Sequence, residues 1–444
     1  MKNVPLKYMS VISLGKMLQS TPARADQEVF PYLKASNLTE NGLDLSSLQQ
    51  MPFSRREQEI LQLQKDDVVV VEGGSIGRSA WISEDMAGIY FQNSINRVRP
   101  KIFADGRYLK YAIESRRASG FFEAITNQAT IRHLTADKLA NTPVPYLNQE
   151  RQRKIADYLD HETAEIDAFI ADQQDLSKLF QERWQSYLVH RIQTGGQSAA
   201  QLLSTEVAEW PHAPSDWEAM RLKSTIIDSQ NGSWGSEPGL DSATRRCIRV
   251  ADFNKNSGRI HSANETERSY SLSQVKNLEL QPGDLIIEKS GGGPTTPVGN
   301  VVLYDAPGGD MFSNFVARIR LRSNICPLFA VYLHRSLYLN QITQRSIKQT
   351  TGIQNLDAGS YFNETIFLPP LEEQKNIGLS IEENRIETEA SLQVIEKTID
   401  LAHERRAALI TAAVTGQIDV TARNKPAAEQ LEDDIAQGLH REHA

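Results

Sequence analysis

An internal repeat with a period of about 220 residues constrains this chain more than any other feature. Solenoid repeats are only about 20–50 residues long, so this period is too long for one solenoid unit. The chain is therefore predicted to hold two copies of one domain, each followed by the same appendage. Matching strings include Phe91-Gln92-Asn93 with Phe312-Ser313-Asn314, Arg97-Val98-Arg99 with Arg318-Ile319-Arg320, and Tyr111 to Ser115 with Tyr332 to Ser336.

The appendages are two long proline-free segments, from Gln149 to about Ile192 and from Glu372 to about Ala413. Their apolar residues recur about every 3.5 positions, which is typical of a coiled coil, and each helix would be about 60–68 Å long. Thr194-Gly195 and Thr415-Gly416 place a glycine where helices commonly end. The helices are predicted to pair with each other; the alternative is that each packs separately on its own domain. Predicted pairing or partner-contacting residues are Ile155, Leu159, Ile166, Phe169, Leu176 and Phe180, with Leu392, Ile395, Ile399 and Leu409.

Between these segments the pattern is that of strands separated by Gly, Asn and Asp turns, with one helix per copy around Tyr108–Ser119 and Leu328–Gln344. The predicted fold class is α+β, with two globular domains separated and joined by two long helices packed as an antiparallel coiled coil. The predicted divisions are 1–148 and 216–368 for the globular domains, 149–195 and 369–420 for the helices, 196–215 for a linker and 421–444 for a polar tail.

Composition excludes several classes of protein. No apolar stretch approaches about 18 residues, which excludes a transmembrane helix, and the first residues lack the apolar segment of a secretory signal, so a cytoplasmic protein is expected. Cys247 and Cys326 alone cannot form a disulfide framework or a zinc site. The net charge of −8 is weak evidence about nucleic acid, because the acidic excess lies mainly in the helical segments. A DNA-binding chain of this kind would need local basic patches or basic partner subunits.

Two glycine-rich strings follow apolar strands, Gly73–Gly77 and Ser290–Gly293. Neither has the Gly-Lys-Ser/Thr ending of a phosphate-binding loop, and no helical pattern follows either one. Two readings stay open: a tight strand-to-strand loop that approaches DNA, or a purely structural turn. The strings Asn141–Tyr146 and Leu368–Leu371 do not fit the base-gripping loop of a DNA methyltransferase, and the nine histidines lack ligand spacing. The sequence offers no convincing catalytic centre and no metal site.

Polar, partly basic loops occupy matching positions in both copies, Asn127–His133 and Lys348–Asn355. Asn, Gln, Arg and Thr side chains read base edges, whereas Lys and Arg contact phosphates. A solvated loop without a partner is the alternative, but recurrence with different residues favours recognition. The predicted DNA contacts are Ser75, Arg78, Asn93, Asn127, Gln128, Thr130 and Arg132 in the first copy, and Lys289, Ser290, Thr295, Asn314, Lys348, Gln349, Thr351, Gln354 and Asn355 in the second.

This organisation resembles the specificity subunit of type I restriction–modification systems. The residues that carry the resemblance are Pro145-Tyr146-Leu147, Gln152 to Asp160 and Glu162 to Asp167 in the first copy, Trp210 to Glu218 at the start of the second, and Leu368 to Lys375, Glu404 to Ile410 and Ala413 to Ile418 at its end. The chain departs from the pattern at Leu147–Arg151, which carries two extra residues, at Ile192–Gly195, and at its N-terminus, which lacks the Trp-Glu pair found at Trp217.

The resemblance implies a non-catalytic, DNA-binding subunit. Each globular half would be a target recognition domain for one part of a bipartite site in double-stranded DNA, and the helices would fix the spacer. The helices would also bind two adenine methyltransferase subunits, and an endonuclease/translocase would join. S-adenosylmethionine, ATP and magnesium would belong to those partners, with no cofactor in this chain and no membrane association. The alternatives are a single-chain fused methyltransferase and restriction enzyme, or a coiled-coil scaffold without a DNA role.

Overall fold

The computed structural model describes residues 2–40, 42–126, 133–239, 243–261, 266–293, 295–350 and 352–420. The chain divides into two compact units. Unit 1 comprises Met1–Gln174 and Glu396–Ala444, and unit 2 comprises Asp175–Ile395. Each unit therefore contains one copy of the repeat and part of both long helices.

Unit 1 is built around two small sheets and several short helices. A four-stranded sheet has the order β2-β10-β7-β8, a three-stranded sheet has the order β6-β3-β9, and β1-β11 and β4-β5 form separate pairs. Its strands are β1 (Asn3–Pro5), β2 (Ser10–Leu14), β3 (Gln27–Leu33), β4 (Leu38–Thr39), β5 (Gly42–Leu43), β6 (Gln49–Ser54), β7 (Val68–Val71), β8 (Ser79–Trp81), β9 (Tyr90–Phe91), β10 (Ile95–Pro100) and β11 (Pro143–Pro145). Its helices are α1 (Arg55–Leu61), α2 (Gly106–Ala118), α3 (Phe121–Ile125) and α4 (Ala136–Ala140), and the chain then enters α5 (Gln149–Thr194).

Unit 2 repeats this plan with more strands. A six-stranded sheet has the order β15-β24-β20-β22-β18-β17, and two three-stranded sheets have the orders β19-β16-β23 and β21-β26-β25. Its strands are β12 (Leu202–Ser204), β13 (His212–Pro214), β14 (Glu218–Arg221), β15 (Ile226–Asn231), β16 (Ala243–Ile248), β17 (Phe253–Asn254), β18 (Arg259–Ile260), β19 (Glu267–Tyr270), β20 (Leu285–Glu288), β21 (Ser290–Gly291), β22 (Val301–Leu303), β23 (Met311–Phe312), β24 (Val316–Leu321), β25 (Ile347–Thr350), β26 (Ile353–Leu356) and β27 (Thr365–Leu368). Its helices are α6 (Leu272–Leu278), α7 (Pro327–Leu339) and α8 (Ala358–Tyr361), and the chain then enters α9 (Leu371–Thr415).

The central strand of each unit separates two apolar cores. In β7, Val68 and Val70 face the core that contains α2, while Val69 and Val71 face a second core beneath the β6-β3-β9 sheet. Alternate side chains of a strand point to opposite faces, so an uninterrupted valine run is buried on both sides. The strand predicted from this run is confirmed.

A buried arginine–aspartate frame recurs in both units. Arg99 Nε and a terminal nitrogen donate to Asp67, both at 2.7 Å, and Arg320 donates to Asp284 at 3.0 and 2.8 Å. Two residues earlier on the same strands, the buried Arg97 and Arg318 donate to backbone carbonyls at the C-terminal ends of α1 and α6. This frame ties the loop before the central strand to the neighbouring strand, and it explains why the Arg-x-Arg string occurs twice.

Short helices and one helix end differ from the sequence prediction. Helices α1 and α6 were missed, although Ser54 with Glu57 and Ser271 with Gln274 form capping boxes that mark helix starts. Helix α7 ends at Leu339, five residues before the predicted end, because Gln341 adopts a φ of 61° and a 3-10 turn follows at Thr343–Ser346.

The two long helices pack together and run antiparallel within each unit. In unit 1, Ile155, Ala156 and Leu159 share a core with Ile410, Ala413 and Val414. In unit 2, Leu188 and Ile192 share a core with Ile377 and Ile381. Gly195 and Gly416 follow the helices with φ values of 64° and 74°, the left-handed conformation that ends helices at glycine.

The buried seam of α5 departs from the predicted one. Ile155, Leu159 and Ile166 are buried and Phe180 is half-buried, but Phe169 and Leu176 are 44% and 38% exposed, and Ile170 is buried instead. A stripe of residues spaced by 3.5 drifts by about 20° per heptad around a straight helix, whose period is 3.6 residues. Residues chosen by this spacing therefore turn away from the helix–helix interface further along α5. On α9, Ile395 is buried, and Leu392, Ile399 and Leu409 are half-buried.

Candidate nucleic-acid interface

Unit 2 joins the two polar strings that sequence analysis had singled out separately. The glycine-rich string forms β21, and the polar loop forms the hairpin β25-β26, which pairs with β21 in one three-stranded sheet. Ser290 lies opposite Asn355 and Gly291 opposite Gln354, and the Leu356 N–H donates to the Lys289 carbonyl at 2.8 Å. The loop after the central strand is thereby held against the hairpin.

Some of the predicted side chains hold this surface together. Ser290 Oγ donates to Asn355 Oδ1 at 2.5 Å, and the buried Gln354 accepts the Val298 N–H at 3.3 Å. A Cβ added to Gly292 would lie 2.9 Å from Gln354 Oε1, so glycine is required for this close approach, and its φ of 59° favours glycine as well. Ser290, Gln354 and Asn355 therefore shape the loop that carries the exposed residues.

Other predicted side chains reach the protein surface. Gln349, Asn314 and Thr295 are exposed and Lys289 is half-buried. Lys348 is largely exposed, with its Nζ 2.5 Å from Asp357 Oδ2, and this hydrogen bond lowers the pKa of Asp357. An exposed lysine beside a polar hairpin is the pattern expected for a phosphate contact.

Unit 1 makes the corresponding approach with different side chains. The Leu134 N–H donates to the Glu72 carbonyl at 2.7 Å, as Leu356 does to Lys289, and Gly73 bridges to His133. The Glu72 carboxylate lies 3.4 Å from His133 Nδ1. The predicted contacts Asn127, Gln128, Thr130 and Arg132 lie outside the described residues, as does Thr351 in unit 2.

The remaining predicted residues of unit 1 divide by exposure. Ser75 is exposed at the tip of the glycine-rich loop, and Asn93 is half-buried. Arg78 forms an ion pair with Glu40 and donates to the Leu38 carbonyl at 3.2 Å, so its guanidinium is engaged within the protein. A Cβ at Gly77 would lie 2.4 Å from the Phe122 ring, which fixes that turn as glycine.

Sequence analysis missed a cavity beside β21. This β21 cavity has a volume of about 340 Å³. Its lining comprises Trp234, Arg249, Val250, Ala251, Glu288, Ser290, Gly291, Gly292, Ser313 and Phe315. The available signal was a pair of aromatic residues within polar turn segments, Asn231-Gly232-Ser233-Trp234-Gly235 and Ser313-Asn314-Phe315, where an apolar ring has no local reason to occur.

Glu288 is the buried ionisable group of this cavity. It is 2% exposed, and burial raises the pKa of its carboxyl group, an effect that nearby Lys255 and Asn300 partly offset. Lys255 Nζ lies 3.6 Å from Glu288 Oε2, and Asn300 Nδ2 donates to the same oxygen at 3.4 Å. Both contacts are long, so the carboxylate is weakly satisfied within the protein.

The described part of the chain lacks two further features. No helix there is long and apolar enough to cross a membrane. Nor do the described residues bring together three or more His, Cys, Asp or Glu side chains able to hold a metal ion.

The chain is similar to proteins of one family. Residues 1–173 match the model of the type I restriction modification DNA specificity domain. The type I restriction enzyme StySPI specificity subunit of Salmonella potsdam is 23% identical over 363 residues, which cover 80% of this chain and 75% of that protein. A solved structure from work on the complex assembly and conformational transition of the type I R-M system superposes on this chain with a TM-score of 0.66. The two chains are 16% identical, and the superposition covers 93% of this chain and 97% of that one. This structural similarity supports the fold assigned here, including the packing of the two long helices. Together with the duplicated α+β domains, these matches show that residues 1–173 contain a type I restriction modification DNA specificity domain, and that the chain is similar over most of its length to a type I specificity subunit.

Proposed function

We propose that this subunit gives its complex a bipartite DNA target, with one half-site read by the globular domain of unit 1 and the other by that of unit 2. The observation that carries this proposal is the matched approach of the glycine-rich loop and the returning polar segment. It is made by the same backbone hydrogen bond in both units, through Leu134 and Leu356. The flanking side chains differ, with Glu72 and His133 in one unit and Lys289 and Asn355 in the other. One scaffold with two sets of side chains suits two different sequences.

The proposed partners are the other subunits of a type I restriction–modification complex. The chain docks two methyltransferase subunits and the endonuclease/translocase subunits, which carry S-adenosylmethionine, ATP and magnesium. Exposed apolar residues on the long helices support docking there, since large apolar side chains on a solvent face often mark partner surfaces. They are Phe169, Leu176, Leu179, Leu379, Ile386, Val394 and Leu401.

The paired helices set the spacer between the half-sites. The globular domains are joined through continuous helices of 46 and 45 residues, and each unit contains part of both. A continuous helix pair transmits both translation and rotation, which are the two quantities that change when base pairs are added to a duplex.

Domain exchange tests the bipartite assignment. The chain is assembled with its methyltransferase subunits, residues 216–368 are replaced by the matching domain of a relative with another target, and methylated adenines are mapped by sequencing. We expect one half of the methylated motif to change and the other half to stay. The reciprocal exchange of residues 1–148 should change the other half. A change of both halves in either exchange would refute independent reading.

A matched insertion tests the spacer. Four residues are added to α5 after Gln174 and four to α9 after Ile395, where the unit boundary crosses both helices. The addition lengthens each helix by about 6 Å and overshoots one turn by about 40°. We expect unchanged half-sites with a spacer longer by one or two base pairs. An unchanged spacer at full activity would show that the helices only dock partners.

A further inference from the structure

The β21 cavity contains a carboxylate that can be reached from its interior. Glu288 Oε1 lies 4.0 Å from the position that a Cβ on Gly291 would occupy. Glu288 and Gly291 both line the cavity, and Gly291 places no side chain beside this oxygen. The other oxygen, Oε2, faces Lys255 and Asn300. One carboxylate oxygen is thus used within the protein, and the other lies beside the glycine of the cavity lining.

Two aromatic rings form the rim of this cavity. Trp234 and Phe315 are 38% and 47% exposed. The Arg268 guanidinium carbon lies 4.4 Å from the centroid of a Trp234 ring and fixes the indole in place. The Phe315 carbonyl accepts the N–H groups of Lys289 and Ser290 at 2.9 and 3.0 Å, so this rim residue is tied to the start of β21. The rim is therefore held in place before any partner arrives.

A carboxylate oxygen beneath an aromatic rim can accept a hydrogen bond from the amino group of a nucleic-acid base, while the rings pack against the base. In the major groove only cytosine and adenine present an amino donor, and Glu or Asp is the side chain that accepts from cytosine. Aromatic side chains tolerate the flat or methyl-bearing parts of neighbouring bases. A cationic side chain of a protein partner would also be attracted to a carboxylate, but the cavity adjoins the polar hairpin and its exposed Lys348, which favours DNA.

Unit 1 lacks this carboxylate. Glu288 pairs with Val316 in the sheet register, and the corresponding pair in unit 1 is Val71 with Ile95. Val71 is buried and apolar. The feature therefore distinguishes the two copies at a position where the scaffold is otherwise shared.

We propose that Glu288 determines one base of the half-site assigned to unit 2, by accepting a hydrogen bond from the amino group of a cytosine or adenine whose edge enters the β21 cavity. This inference rests on the proposed function and adds to it a residue and a class of base. It places the glycine-rich string in base recognition, because Gly291 and Gly292 line the same cavity as the carboxylate.

The test is the nearly isosteric substitution Glu288→Gln in the full chain, assembled with its methyltransferase subunits. Glu218→Gln is the matched control, since Glu218 is exposed on β14, which pairs with β27 beside the start of α9 rather than with the hairpin. Methylated motifs are mapped for both variants. For Glu288→Gln we expect discrimination to fall by about 5- to 150-fold at a single position of the unit 2 half-site, with the other half-site and the spacer unchanged. The control should keep the wild-type motif.

Competition binding is used if the variant complex no longer methylates DNA, since it measures recognition without methyl transfer. Duplexes carrying each of the four bases at each position of the unit 2 half-site are compared with the wild-type target. Lost discrimination at one position supports the proposal, whereas a uniform loss of affinity overturns it. An unchanged motif for Glu288→Gln also overturns it but leaves the bipartite assignment intact, because that assignment depends on the domain exchange. Weaker assembly with the methyltransferase at an unchanged motif would assign the cavity to a protein partner.

Discussion

Units 1 and 2 share a polar frame and differ in what they present around the glycine-rich loop. The Asp67–Arg99 and Asp284–Arg320 pairs have nearly the same geometry. Val71 and Glu288, which occupy one register position, differ in charge and in the space they line. Buried polar groups need specific partners, so the frame tolerates little change, while side chains that face a cavity or solvent are free to diverge. The comparison shows where a duplicated reader keeps its fold and where it can acquire a new target.

The junction between each globular domain and its long helix also keeps its polar contacts in both units. Tyr111 donates to Asp160 of α5 at 2.8 Å, and Tyr332 donates to Glu382 of α9. Gln152 and Gln374 each bind the start of a domain helix and the turn before the long helix. The chemistry is kept although the carboxylate changes from aspartate to glutamate. A junction with so many matched contacts fixes the angle at which each helix leaves its domain.

Breaking the shared frame should have the largest effect. We expect Asp67→Ala and Asp284→Ala each to lower the free energy of unfolding by about 3–5 kcal/mol, because each leaves a partly buried arginine without its carboxylate. Urea unfolding of the purified chain measures this. Asp175→Ala is the control, since Asp175 pairs with Lys178 on an exposed face and should cause no measurable loss. Unequal losses at Asp67 and Asp284 would show that the frames are not equivalent.

A core position that differs between the units should make unit 2 sensitive to acid. His334 occupies the place of the buried Ile113, and its Nδ1 lies 2.7 Å from the Tyr361 hydroxyl. Burial lowers the pKa of His334 to about 4 from its usual 6.5. The unfolded chain therefore binds a proton between these values that the folded chain does not, so stability present above pH 6.5 is lost as the pH falls toward 4.

We expect this loss to reach about 2–3 kcal/mol between pH 7 and pH 4, and to be reduced in His334→Asn, whose amide oxygen can still bind Tyr361. Urea midpoints at pH 7, 5.5 and 4.5 for both proteins provide the measurement. Parallel pH profiles for wild type and variant would contradict the assignment to His334.

Removing a junction glutamine should have the smallest effect of the three. Gln152→Ala and Gln374→Ala each delete a side chain that satisfies three backbone groups, and we expect losses of about 1–2 kcal/mol. Gln152→Glu and Gln374→Glu place a buried carboxylate against two backbone carbonyl oxygens, and should be less stable than the alanine forms. Thermal unfolding ranks the variants, and glutamate forms as stable as wild type would show that the donated bonds contribute nothing.

The sequence by itself determined the duplication, the strand at Val68–Val71 and the two long helices with their Thr-Gly ends. These features depend on local signals: the spacing of apolar residues, the conformational freedom of glycine just past a helix, and the recurrence of strings such as Arg97-Val98-Arg99. The capping boxes at Ser54 and Ser271 were equally readable, and α1 and α6 could have been predicted from them.

Only the tertiary structure decided which side chains the seam and the interface contain. The seam of α5 passes from Ile166 to Ile170 rather than to Phe169, because the phase of a long helix depends on its true period over many turns. Ser290 and Asn355 meet across a strand register that joins segments far apart in the sequence, and a one-residue slip would turn every side chain to the other face. In the sequence, Glu288 is the polar last residue of an apolar strand, and only the folded structure buries it. Its burial, and with it the β21 cavity, arises from long-range pairing that no local pattern specifies.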